Sequence, residues 1–213
     1  MRVLLTGFEP FAGAASNPSW SAVELLASRW TGPAELRTAR LPTTFADGAS
    51  YLLGLIEVLR PDLVIATGLA QGRAAVTPEL IAINHVDARI PDNAGLRLLD
   101  VSVVADGPDG YFSTLPVKSM VAAMRAAGIP AALSYSAGTF VCNHVFYALM
   151  HALRTRHPNI VGGFVHVPAS PDEITTGDCP TMPVDMIARA LEAGILACLD
   201  APVPVDVGAG IIA

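Results

Sequence analysis

Three stretches of the chain carry residue types able to do covalent chemistry. The first is Ser136-Ala137-Gly138-Thr139-Phe140-Val141-Cys142-Asn143-His144. A strand expected over 131–136 ends there, Gly138 permits a tight turn, and a helix is expected over 142–156. A thiol at a helix N-terminus meets unpaired backbone N–H groups and the positive end of the helix dipole. That placement is expected to lower its pKa and to supply donors for an oxyanion formed when it attacks a carbonyl. The second stretch is Gly162-Gly163-Phe164-Val165-His166-Val167-Pro168. His166 ends an apolar strand, and from a sheet's rim an imidazole can work as a general base. The third runs from Gly68 to Leu80, where Glu79 follows Pro78. A carboxylate there can orient an imidazole by accepting its second N–H.

On position alone each residue has a plainer alternative. Most free cysteines are core fillers, and Cys142 reads as a buried structural cysteine. His166 reads as a core histidine bonded to nearby backbone. Glu79 reads as an exposed glutamate at a strand start, the usual fate of Glu. Arg89 is able to steady negative charge, or to pair with Asp87 or Asp92. Phe8 and Phe11 either wall an apolar slot or pack beneath their own loop. His144 lies two residues from Cys142, a spacing that does not face it on a helix. His151 and His157 read as structural or solvent-facing. The glycines at 68 and 72 also raise a phosphate cradle, though neither a P-loop nor a dinucleotide fingerprint is present.

The elements that must position these residues alternate in type. Strands are expected over 2–7, 35–41, 62–67, 80–86, 131–136 and 160–167. Helices are expected to start at Asn17-Pro18 and to cover 45–59, 117–127, 142–156 and 184–199. Residues 87–115 read as irregular, and the tail beyond 199 is unassigned. Strands apolar throughout, alternating with helices, predict a mostly parallel twisted sheet covered on both faces. The expected fold class is α/β: one α/β/α sandwich domain over 1–213, phosphorylase- or hydrolase-like. Active residues in such folds gather beyond the carboxyl ends of the strands.

Composition narrows the function classes. The 213 residues are 52% hydrophobic and only 15% charged, which suits one large core and argues against disorder. The excess of apolar residues predicts a homo-oligomer. The net charge is −6 and the 13 basic residues are scattered, so nucleic acid and anionic membrane are not expected partners. No run is long enough for a membrane span, and the N-terminal segment reads as a strand, not a signal peptide. Three cysteines, 142, 179 and 198, have neither disulfide nor zinc spacing, which points to a reducing cytoplasm and no metal.

The segments together resemble the type I pyroglutamyl peptidases, or pyrrolidone-carboxylate peptidases. The resemblance rests on LLTGFEPFAG with NPSW at 4–20, GR with TPELIAIN at 72–84, DARIPDN at 87–93, STLPVKSM at 113–120, SAGTFVCNHVFYALMH at 136–151 and GGFVHVP at 162–168. It implies an α/β/α sandwich, a dimer or tetramer, and no cofactor. It implies Cys142 as nucleophile, His166 as base and acid, Glu79 as orienting carboxylate and Arg89 as oxyanion support. It implies a small lactam pocket lined by Phe8, Phe11, Thr43, Ile90, Phe140 and Val141. The implied partners are peptides with an N-terminal pyroglutamyl residue, cleaved through a thioacyl-enzyme. In that slot Phe11 and Phe140 are expected to sandwich the ring, with backbone near Val141 and Leu69 supplying its polar contacts.

Two positions depart from the family's pattern. Leu69 replaces a glutamine in the loop after the third strand, and Ala12 replaces a glycine. Ala12 is expected to cost stability only if its φ is positive. The competing readings are a phosphorylase-like enzyme on a similar sheet and a homologue that binds pyroglutamyl groups without cleaving them.

Overall fold

In a computed structural model, residues 1–173 and 179–200 are described. Strand β1 (Arg2–Phe8) leads to helix α1 (Pro18–Arg29), which Asn17 caps by accepting a hydrogen bond from the Ser19 amide at 3.1 Å. Next come β2 (Glu35–Leu41), α2 (Asp47–Leu59) and β3 (Leu63–Leu69). Short strands β4 (Thr77–Pro78), β5 (Ile81–Ile83) and β6 (Gly110–Phe112) precede α3 (Val117–Ala126). Helix α4 (Val141–Thr155), strand β7 (Val161–Val167) and helix α5 (Val184–Leu199) complete the described elements.

The main sheet has the order β2-β1-β3-β7-β4, parallel except at β4. Strand residues alternate between two apolar layers. Val3, Leu5, Leu63, Ile65, Val165 and Val167 face the layer of α1, α3 and α5. Leu4, Phe8, Val64, Ala66 and Phe164 face α2 and α4. Burial on both faces explains why β1, β3 and β7 read as continuous apolar runs. The expected α/β/α sandwich with a mostly parallel sheet is what forms. Because β2 lies on one side of β1 and β3 on the other, the chain reverses direction there, and a crevice opens beyond the carboxyl ends of β1 and β3.

Two expected strands differ. Residues 80–86 do not join the main sheet; Ile81–Ile83 pairs antiparallel with Gly110–Phe112 as a separate two-stranded unit. Thus 87–115, expected to be irregular, holds a strand near its end. Residues 131–136 form no strand but touch 76–79 through isolated parallel bridges at Val76–Ala131 and Glu79–Ser134. The cause is proline. The amides of Val76, Ala132, Ser134 and Leu80 follow a parallel ladder, donating to Pro130, Val76, Pro78 and Ser134. The rung between them needs a donor at 78, and Pro78 has none.

Candidate active site

Cys142 occupies the first turn of α4. The helix begins after Phe140, whose backbone is extended and whose side chain makes no capping bond, so the first-turn amides stay free of a side-chain partner. The next residue fixes the turn in place. Buried Asn143 accepts from the Ile83 amide at 3.1 Å and donates to the carbonyls of Ile83 and His85 at 2.9 and 3.1 Å. The helix start is thereby tied to β5.

His166 lies near the end of β7, opposite Gly68 of β3 and Thr77 of β4. Its ring is 4% exposed and packs on Phe164, with centroids 4.9 Å apart. Glu79, just past β4, is wholly buried, and its Oε1 lies 2.7 Å from His166 Nδ1. An ionised carboxylate only accepts, so Nδ1 carries the hydrogen and Nε2 is left with its lone pair. Gly68 brings the sulfur to the same place. A Cβ built there would stand 2.7 Å from Cys142 Sγ and 2.9 Å from the Phe164 ring. Position 68 must therefore be bare for Sγ to rest on the sheet beside the register partner of His166. Cys142 keeps partial access to solvent. No hydrogen bond joins Sγ to the imidazole among the described residues, so only the carboxylate–imidazole half of the expected line is formed.

Charge states differ from the sequence expectation at the thiol. Burial pushes Cys142 up to about 12, the Glu79 charge adds to this, and Arg73 and the residue's own amide oppose it without winning. The helix N-terminus alone predicted a lowered value, whereas burial and the Glu79 charge raise it. Burial, aided by the Arg73 charge, draws His166 below its ordinary value and favours a neutral ring, against Glu79, which favours the protonated one. Burial is the largest single influence on Glu79 and raises it, but the hydrogen bond and charge of His166, the Ser134 hydroxyl and the Arg73 charge together outweigh it, and the carboxyl ends below its usual value.

A cavity of about 560 Å³ lies beyond the carboxyl ends of the strands, lined by neighbours of Cys142 and His166 but not by Cys142, His166 or Glu79 themselves. Phe11, Leu69, Arg89, Ile90 and Phe140 line it. Phe11 and Phe140 face one another with ring centroids 6.4 Å apart. Arg89 pairs with neither acid: Asp92 spends both oxygens on the amides of Phe45, Ala94 and Leu96, each at 2.9 Å. The structure does not bring Phe8 to this lining. It is the last residue of β1 and not part of the loop, is 2% exposed, and packs on Phe164 in the core. Thr43 and Val141 are also buried and are not among the residues lining the cavity. The Thr43 amide donates to Glu9 Oε1 at 3.0 Å, and Asn93 Nδ2 donates to the same oxygen at 2.9 Å. Glu9 thus holds the loops after β1 and β2 against the loop that carries Arg89 and Ile90.

Sequence reasoning missed Gln71 and Glu173, which also line the cavity, and Arg73, which contacts Glu79. Gln71 and Arg73 lay inside a segment already singled out, but nothing in their spacing showed which way they point. Of the remaining histidines, His144 packs edge-on to Phe45, and His151 and His157 bond Tyr111 and Glu57. Among the described residues no group of three or more His, Cys, Asp or Glu is placed to hold a metal, and no helix is long and apolar enough to cross a membrane.

The chain is similar to known proteins over nearly its whole length. A pyrrolidone-carboxylate peptidase of Clavibacter michiganensis is 51% identical over 208 residues, spanning 98% of this chain and 97% of that protein. One from Streptomyces coelicolor is 48% identical over 205 residues, spanning 96% and 95%. The crystal structure of pyroglutamyl peptidase I from Bacillus amyloliquefaciens superposes with a TM-score of 0.94 at 41% identity, covering 97% of this chain and 99% of that one. A mutant pyrrolidone carboxyl peptidase from Pyrococcus furiosus gives 0.89 at 38%, covering 93% and 98%. The family model described as pyroglutamyl peptidase matches residues 1–201, and the chain belongs to that family.

Proposed function

We propose that this chain is a cysteine peptidase that releases an N-terminal pyroglutamyl residue from peptides, with Cys142 as nucleophile, His166 as base and acid, and Glu79 orienting the ring. The observation that carries the reading is the 2.7 Å Glu79–His166 bond beside a glycine on which Cys142 Sγ rests. The lactam ring lies between Phe11 and Phe140, and its polar atoms bond to backbone near Val141 and Leu69. Phe11, Leu69, Ile90 and Phe140 give the slot apolar walls suited to an uncharged ring, while the carboxyl groups of Asp87 and Glu173 also line the cavity.

The raised thiol decides the order of events. Because Cys142 rests protonated, attack requires transfer of its proton to His166 Nε2 as sulfur closes on the scissile carbonyl. The imidazolium formed is stabilised by Glu79. The oxyanion is held by the free amides at the start of α4, with Arg89 on the cavity wall adding charge. Collapse of the adduct breaks the C–N bond, and His166 passes its proton to the departing amine. Water then loses a proton to His166, attacks the thioester and frees pyroglutamate, and the proton returns to sulfur.

No metal or cofactor enters this scheme. The same reading proposes one catalytic domain over 1–213, acting in the cytoplasm as a dimer or tetramer. A homologue that binds without cleaving is the second reading, favoured only by Leu69 on the cavity wall. A chromogenic pyroglutamyl amide tests both. The wild-type chain is expected to hydrolyse it and Cys142→Ser is expected to lose at least about a hundredfold in kcat. Equal rates in the two would end the assignment, and an inert wild type would favour the binding protein.

A further inference from the structure

We propose that Arg73 is a positioning residue of this site, clamping the carboxylate that orients His166 and tying it to the loop that leads into Cys142. The proposal rests on the roles given above to Cys142, His166 and Glu79. Glu79 is wholly buried, and one of its oxygens receives both the imidazole and the guanidinium, with the Ser134 hydroxyl also favouring the charged carboxylate. Oε1 takes His166 Nδ1 at 2.7 Å and Arg73 Nη1 at 2.6 Å, while buried Oε2 has no partner. A carboxylate so enclosed takes up a proton unless a cation stands beside it. Once protonated, it no longer serves His166 as a purely accepting, charged partner.

The guanidinium does more than neutralise. Nη1 also donates to Thr77 Oγ1 at 2.5 Å, and Nη2 donates to the Ser136 carbonyl at 2.9 Å. Thr77 is the residue that β4 sets opposite His166. Ser136 opens the turn through Gly138 to Phe140 and Cys142. One planar fork therefore joins the carboxylate, the strand beside the imidazole and the approach to the nucleophile. A lysine, a single point charge, reaches one or two of these partners but lacks the fork. Arg73 is not among the residues lining the cavity, and its side chain is 30% exposed, so a role in substrate contact is not implied.

The charged or titratable groups bearing on His166 are Glu79 after β4, Arg73 in the loop after β3 and the Cys142 thiol of α4. Glu79 favours the protonated ring and Arg73 disfavours it. With Arg73 removed the first influence stands unopposed. The Glu79–His166 pair then keeps its proton to higher pH, whichever of the two holds it.

The test uses Arg73→Gln and Arg73→Lys in the full chain. With the pyroglutamyl amide as substrate, Arg73→Gln is expected to lower kcat by about tenfold or more and to leave KM within about threefold. The acid limb of its kcat/KM profile is expected to move up by about one pH unit. Arg73→Lys is expected to restore the limb but not the full kcat. Because the limb depends on turnover, a second readout is needed. The His166 ring is titrated by NMR in a Cys142→Ala background, with Arg, Gln or Lys at 73, and the Gln midpoint is expected to rise. Unmoved limb and ring midpoint in Arg73→Gln, or an effect confined to KM, would overturn the proposal. Should Arg73→Gln not fold, wild-type kcat in Arg73→Lys would overturn it. Activity surviving in Cys142→Ala sinks the parent reading instead, and the ring titration still reports on Arg73.

Discussion

At the scale of single residues, backbone conformation settles a point that side-chain identity left conditional. Ala12 has φ of 52°, in the left-handed region that disfavours every residue with a Cβ. The family's usual glycine suits that conformation, so alanine here carries a strain the sequence allowed for but did not establish. Ala12→Gly is expected to stabilise the chain by ~1 kcal/mol and to raise the melting temperature by about 2–4 °C. An unchanged or lower melting temperature would count against the left-handed turn. Glu79 makes a different prediction at this scale. Glu79→Gln keeps the shape but removes the charge that stabilises the imidazolium, so kcat is expected to fall at least about a hundredfold. Circular dichroism should remain that of the wild type. Normal turnover would refute the orienting role. The glutamate's burial was not legible beforehand, because an isolated Glu after Pro is ordinarily on the surface; only the nearness of His166 and Arg73 makes its burial tolerable.

At the scale of elements, function depends on how α4 sits on β3 and β5. Gly68 is the contact point. A methyl group at 68 would press on the sulfur and on Phe164, so Gly68→Ala is expected to displace α4 or the ring. The cost is ~1–3 kcal/mol by urea unfolding, with a larger proportional loss of kcat than of KM. Full activity in that variant would mean the sulfur works from elsewhere. Asn143 sets the other end of the seat. Its alanine variant leaves the Ile83 amide and two carbonyls without their partner, an expected loss of ~2–4 kcal/mol. The main elements were legible because apolar runs and helical periods are local signals. The strand expected at 131–136 was not formed because one missing donor, at Pro78 on a different segment, interrupts its pairing. The split of 80–86 into a separate hairpin was equally invisible, since its partner lies near residue 111.

For the whole molecule, buried ionisable groups tie stability to pH. Glu79 is lowered in the folded state, so its contribution is full above its unfolded pKa and is lost as pH falls through the folded value. His166 is also lowered, so the unfolded chain binds a proton first as pH drops below about 6.5, again favouring unfolding. Both act in one direction. Urea unfolding is expected to show the chain less stable at pH 5.5 than at pH 7.5, by ~1 kcal/mol. A flat or inverted profile would contradict a neutral buried ring. Assembly is tested separately by sedimentation: exposed Leu96, Leu99, Val101 and Phe112 suit a homo-oligomer, and a strict monomer at micromolar concentration would reject it.

The amino-acid order by itself determined most of the alternation of strands and helices, the mostly parallel sheet and the three reactive segments, of which the one with Cys142 opens a helix without following a strand. These follow from periodicity, capping residues and short motifs, all read within a dozen residues. Tertiary structure decided what the reactive groups are like: Cys142 with a raised thiol, Phe8 in the core and not in the cavity, and Arg73 on the Glu79 carboxylate. Desolvation and Coulomb forces act through space, between side chains at 73 and 79 and others at 142 and 166 far along the chain, and no local pattern encodes the distances on which those forces depend.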